Sequence, residues 1–171
     1  QDYCKDLLPN YFRFVEGVVD SEDLPLNISR ETIQATRLME KMKSSLTRRL
    51  IDELDRLAQE EPEAYQKFWE QFGVFVKEGM ATDVAGRDPL LKLLRFRTSK
   101  SDGKWAALSD YVGRMKDDQK AIYYILGQDA KSVALSPHLD YFFAHDVEVL
   151  YLTETVDSFM ILGLRDATAL G

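Results

Sequence analysis

Cysteine is nearly missing from this chain: Cys4 stands alone among 171 residues, so no internal disulfide can form. Histidine is almost as scarce, with His138 and His145 as the pair, which excludes the usual zinc ligand sets built from histidine and cysteine. There is no apolar run near the roughly 20 residues of a membrane span, and no apolar core of a signal peptide. Positive charge is in deficit: 29 acidic against 22 basic side chains give a net charge of −7, which opposes sequence-independent binding to a phosphate backbone. Neither nucleic acid nor membrane is expected as a partner, and a reducing, cytoplasmic setting is. No initiator methionine precedes Gln1, which points to a piece of something longer. Internal repeats and low-complexity tracts are absent as well. What is present is an apolar fraction of 45%, enough for a core in one ordinary domain or two small ones.

Along the chain, a short helical stretch from Asp6 gives way to RFVEGVV, Arg13 to Val19, which reads as a strand on its β-branched content. A loop follows. From Ser29, the natural N-cap, the residues Ala35, Met39, Met42, Leu46, Leu50, Leu54 and Leu57 recur every three or four positions and predict one helix of about thirty residues. Thr32 stands where a full capping box has Glu or Gln. Glu60-Glu61-Pro62 ends that helix, and Tyr65, Phe68, Trp69, Phe72, Phe75 and Val76 trace a second, aromatic stripe that reads as packing core. A short helix is expected over Pro89 to Leu94, and a weak linker over Thr82 to Asp88. The pattern then alternates: LLRFRTS as strand, ALSDYVGRM as helix, AIYYIL as strand, SPHLDYFFA as helix, VEVLYL as strand and a closing helix through Phe159 to Leu164. The later strands are continuously apolar, as when both faces are covered, so a small, mainly parallel sheet between helices is expected.

The loop SEDLPLNISRET, Ser21 to Thr32, holds the candidate chemistry. A helix start carries partial positive charge, so the cation Arg30 is misplaced there unless an anion compensates. Free N–H groups plus a forked guanidinium suit phosphate oxygens, so Arg30 reads as phosphate-directed; Glu22, Asp23 and Glu31 offer the plainer alternative of local neutralisation. Gln34 lies one turn on and shares the face of Arg30. Asn27 has two roles open, orienting an anion or water or forming a turn through its own backbone. Leu24, Leu26 and Ile28 must pack at home or await a partner. GQDAKS, Gly127 to Ser132, follows a strand but lacks the second glycine, and Lys131 comes too early for a phosphate-binding loop. His138 and His145, two turns apart and placeable on one helix face, have no framework that would make them ligands or bases. No nucleophile and base stand at usable spacing, so no self-contained enzyme is expected.

LPNYFRFVEGVVDSEDLPLNISRETIQ, Leu8 to Gln34, closely resembles the catalytic-loop region in the middle domain of the heat shock protein 90 family. The likeness continues in YQKFWEQFGVFVKEG, LLRFRTSKS, LSDYVGRMKDDQKAIYYILG and EVLYLTETVD, covering nearly the whole chain. With no long acidic insertion it is most similar to the bacterial high-temperature protein G type, an organelle member staying open. The resemblance implies an ATP-driven homodimeric chaperone whose N-terminal domain binds ATP and Mg while the middle domain lends an arginine to the γ-phosphate. That arginine falls on Arg30 and the accompanying loop glutamine on Gln34, with Asn27 in the same loop; Leu24 and Leu26 would contact or shield the closed interface.

The expectation is therefore an α/β protein: a catalytic-loop strand and long helix in residues 1–58 (loop 20–34), a helical connector in 59–93, and a small three-layer α/β/α unit with a short, mainly parallel sheet in 94–171. Its partners would be the N-terminal ATPase domain of the same protein and unfolded or partly folded clients. ATP and Mg belong to the full-length protein; this chain alone is expected to bind neither and to hydrolyse nothing. The rival readings are a docking module with no part in hydrolysis, and a stand-alone phosphate-ester enzyme clamped by Arg30.

Overall fold

Ile33–Glu60 forms α1, the long helix that the apolar periodicity predicts. The computed structural model describes residues 6–19 and 33–165. Ile51 is buried against the core, Leu50, Leu54, Leu57 and Ala58 pack on its edge, and Met39, Met42 and Leu46 are half-buried. The opposite face is polar, with Arg48 paired to Asp52 and Arg56 held between Glu53 and Glu60. Pro62 cannot continue a helix but can begin one, so α1 stops at Glu60 and Pro62–Thr82 starts α2 with proline in its first turn.

α2 is the hub. Tyr65, Trp69, Val76 and Met80 recur at helical spacing on its buried face. Gly79 lies on the same face, and a Cβ there would meet Leu90 at 2.8 Å and the Tyr11 ring at 2.9 Å, so only hydrogen lets both seat on the helix backbone. The 82–88 connection is tied down rather than weak: the Tyr11 hydroxyl donates to Asp83 (2.9 Å), whose other oxygen accepts from the Gly86 N–H (2.9 Å). The next helix, α3, spans Arg87–Leu91, earlier than expected. Pro89 is tolerated because it falls in the first turn, and the Leu93 and Leu94 amides close turns onto Leu90 and Leu91 before the chain extends.

Four strands follow: β1 Arg95–Thr98, β2 Ala106–Ala107, β3 Tyr123–Leu126 and β4 Val149–Leu152. The sheet order is β2-β1-β4-β3. β1 runs antiparallel to both β2 (Arg95 opposite Ala107) and β4 (Arg97 opposite Tyr151), and β3 alone is parallel to β4 (Tyr124 opposite Leu150). The α/β class stands, but the sheet is mainly antiparallel rather than mainly parallel. One of the two antiparallel pairs comes from the turn after β1, where Asp102 (φ 51°) and Gly103 (φ 76°) take left-handed conformations that fold the chain back into β2; the other comes from β4 entering between β1 and β3. Helix α4, Leu108–Gly113, leaves β2 at once. The β3-to-β4 crossover holds α5 (Ala130–Ala134), a 3₁₀ turn (Pro137–Leu139) and α6 (Asp140–Ala144). The last helix, α7 (Asp157–Arg165), packs across α2.

Two further expectations change. RFVEGVV is not a strand: Arg13 and Phe14 lie in a turn after the 3₁₀ segment Asn10–Phe12, and 15–19 pair with no sheet among the described residues. β-branched content favours extended backbone but supplies no neighbour to hydrogen-bond. β3 is not covered on both faces either, because it lies at the sheet edge with Tyr123, Tyr124 and Leu126 exposed. One apolar cluster links Tyr11 and Phe12, α1, α2, α3, β1, α4, β4 and α7.

Candidate functional site

Arg30, Asn27, the loop leucines 24 and 26, Ile28 and the cap residue Ser29 lie outside the described residues, as does Cys4. Gln34 falls in the first turn of α1. What the structure describes is the mounting of the two chain segments between which that loop runs. The outgoing segment is α1, whose middle and C-terminal turns pack on α2 through Ile51, Leu54 and Leu57.

The incoming segment is fastened to α2 as well. Phe14 stacks on Phe72 (ring centroids 4.6 Å) and Phe75 (5.5 Å) and tilts against Phe68 (5.8 Å). Beside it the Arg13 guanidinium lies 4.1 Å over the Phe75 ring and donates to both carboxylate oxygens of Glu78, at 2.7 and 3.1 Å. The aromatic stripe therefore works as packing, and half of it is a clamp for Phe14. Sequence reasoning read the stripe as core and missed the clamp. The available signal was the register of Phe68, Phe72 and Phe75, a half-buried row beside the fully buried Tyr65, Trp69 and Val76, against which the Arg13-Phe14 dipeptide packs at the edge of the core. Both segments that lead to and from the loop thus have anchor points on α2, at Arg13 and Phe14 before it and at Ile51, Leu54 and Leu57 after it, with 16–19 exposed in between.

On the opposite side of α2, Lys77 is 3% exposed, with its ammonium 2.8 Å from Asp157 and 3.1 Å from Glu154 at the start of α7. The other Asp157 oxygen accepts the Glu154 N–H at 2.9 Å. At the end of β1, Glu148 is buried and bonded by the Thr98 hydroxyl (2.5 Å) and the Arg114 guanidinium (2.8 and 2.9 Å). Burial alone would raise the Glu148 carboxyl, but Arg114 and Thr98 outweigh it and hold it below the ordinary value.

GQDAKS forms no anion cradle. Asp129 caps α5, one oxygen accepting the Lys131 and Ser132 amides (both 2.9 Å) and the other the Ser132 hydroxyl (2.8 Å), so the loop's donors already serve its own carboxylate. The histidines do not share a helix face. His138 lies in the 3₁₀ turn and His145 follows α6, where it stacks on Tyr141 at 4.1 Å and its Nδ1 lies 2.8 Å from the Tyr141 carbonyl. Both are exposed. Among the described residues no group of three or more His, Cys, Asp or Glu could hold a metal ion, and no helix is long and apolar enough to cross a membrane.

Comparison with known proteins agrees with the resemblance carried by the loop. The chain is 48% identical over 162 residues to the chaperone protein HtpG of Chlorobaculum tepidum, covering 94% of this chain and 26% of that protein. It is 52% identical over 156 residues to HtpG of Nitrobacter hamburgensis (91% and 24%), and 44% identical over 165 residues to HtpG of Myxococcus xanthus (96% and 25%). It thus spans about a quarter of the length of these curated relatives. The family model described as Hsp90 protein matches residues 1–168, so the chain belongs to the Hsp90 family.

Proposed function

We propose that this chain is the part of an ATP-driven, homodimeric, cytoplasmic chaperone's middle domain that brings Arg30 to the γ-phosphate of a nucleotide held by the N-terminal domain of the same protein. The observation that carries the reading is the family match over residues 1–168, which takes in DSEDLPLNISRE with its arginine just ahead of α1. Two features support it physically. A cation at a helix start lacks its usual compensation, and a terminal phosphate supplies it. The segments flanking the loop are fastened to α2, by Phe14 and Arg13 on one side and by α1 on the other.

In this reading residues 1–58 carry the loop, 59–93 connect and 94–171 form the small subdomain, while the chain as a whole presents surface to unfolded or partly folded clients. ATP and its Mg²⁺ would be held by another domain and supply the phosphoryl group to be transferred. The chain's own contribution is electrostatic: the Arg30 guanidinium would stabilise charge on the terminal phosphate, with Gln34 and Asn27 ordering the polar groups around it. The test is Arg30→Ala in the full-length protein. Steady-state ATPase should fall by about 10³ to 10⁵, the range for a lost arginine finger, with the melting temperature unchanged. Unchanged turnover would leave the loop a docking element.

A further inference from the structure

A groove of about 790 Å³ opens where the α1–α2 elbow faces α4. Its floor is apolar: Leu91 and Leu108 are buried, and the half-buried Trp105 lies edge-on to Trp69 at 6.3 Å. Trp105 keeps its indole N–H buried, so what it offers the groove is the apolar part of its ring. The walls are acidic. Lys92 is used up by Asp52 and Asp55, at 3.1 Å each, whereas no cation pairs with Glu63 or Asp88 among the described residues. Asp110 accepts only the Ala107 amide there, at 2.9 Å. Against these three carboxylates stands Arg95, whose guanidinium lies 4.6 Å over the Tyr65 ring and donates to two backbone carbonyls.

We propose that this groove binds a basic amphipathic polypeptide segment, its apolar residues on Leu91, Leu108 and Trp105 and its lysines or arginines against Glu63, Asp88 and Asp110. The volume lies within the range of ligand clefts, and an apolar floor with charged walls is the pattern by which grooves take amphipathic segments. The opposite sign of wall and ligand is what selects basic over acidic sequences. The inference rests on the chaperone reading, since it names the chemistry of polypeptide that this surface would hold.

The experiment uses a fluorescein-labelled, tryptophan-free amphipathic Lys/Leu peptide and, for tryptophan emission, its unlabelled form, each with a Glu/Leu counterpart; binding is followed by anisotropy and by the emission of Trp105 over the background of the buried Trp69. The Lys/Leu peptide should bind and shift the tryptophan spectrum; the Glu/Leu peptide should do neither. Glu63→Lys with Asp88→Lys should weaken binding about tenfold or more, while Asp117→Lys with Asp118→Lys, exposed and away from the groove, should weaken it less than about twofold despite the same change in net charge. Ser109→Phe, which fills the groove from an exposed position, should weaken binding without touching a charge. Equal loss in the two charge-reversed pairs, indifference to Ser109→Phe, or binding of the Glu/Leu peptide would overturn the proposal. So would a concentration-dependent dimer that Glu63→Lys with Asp88→Lys abolishes, since the occupant would then be a second copy. None of these outcomes depends on Arg30, so the groove and the ATPase reading fail separately.

Discussion

The two flanks of the sheet-bearing half are built to different standards. Where α7 meets α2, the core residues Val76, Met80 and Met160 are sealed from solvent and even the ionic cluster of Lys77 and Asp157 is buried. Where β3 forms the sheet edge, Tyr123 is 40%, Tyr124 38% and Leu126 49% exposed, and nearby Tyr141 and Phe143 are exposed as well. The β3 side is held by polar contacts: the Tyr111 hydroxyl donates to the Glu148 carbonyl (2.8 Å) and accepts from the Tyr123 amide and from Gln119 (both 3.0 Å). The difference teaches where stability resides. Burial concentrated around α2 makes that helix the fixed part on which the loop flanks are mounted, while the β3 edge is free to change without loss to the core.

Asp157→Ala should produce the largest effect. It strips the buried Lys77 of its nearer carboxylate and leaves the half-exposed Glu154, 3.1 Å away, as partial compensation, so the cost should fall toward the lower end of the about 3–5 kcal/mol for breaking a buried pair from one side. Urea unfolding monitored by circular dichroism measures it. A cost under about 1 kcal/mol would erase the distinction between the two flanks.

That ionic cluster was not legible in the sequence. A lysine in mid-helix reads as solvated, and the clue that Lys77 falls beside Val76 on the stripe running from Trp69 to Met80 is apparent only once α7 is known to lie across it. α1 and α2 were legible because long periodic stripes and the Glu60-Glu61-Pro62 break are local signals. β2 was not, since Ala106 and Ala107 carry no strand signal and pair only because the turn at Asp102 and Gly103 returns them to β1. The misreading of RFVEGVV has the same root: strand formation needs a partner, which the stretch itself does not encode. Arg30 was conspicuous from electrostatics alone, yet its assignment to a phosphate came from the likeness of the whole loop to a family and not from spacing.

Glu148 gives an intermediate test, because it belongs to the polar fastening that joins β4 to β1 and α4. Its carboxyl is held below the ordinary value in the folded chain: burial opposes ionisation, and Arg114 and Thr98 more than offset that. A group depressed on folding contributes stability that is complete above its unfolded pKa and disappears as pH falls through the folded one. The wild type should therefore lose stability on acidification from the normal glutamate range downward, and Glu148→Gln should reduce that loss while costing about 2 kcal/mol at neutral pH. Parallel melts of both proteins across acidic pH check the slope. If both curves fall alike, other carboxylates govern the acid limb.

Leu126→Lys should give the smallest change, and its smallness is what matters. The side chain is half exposed on an edge strand, whose next residue, Gly127, keeps its amide bonded to the Leu152 carbonyl (3.0 Å) whatever side chain stands at 126. Little apolar area returns to water on substitution, and lysine on a sheet edge opposes strand addition by other chains. Unfolding free energy should stay within about 0.5 kcal/mol of wild type. A loss as large as that of Asp157→Ala would mean that the β3 edge is as firmly built into the core as α7, and that burial around α2 is not what distinguishes the two flanks.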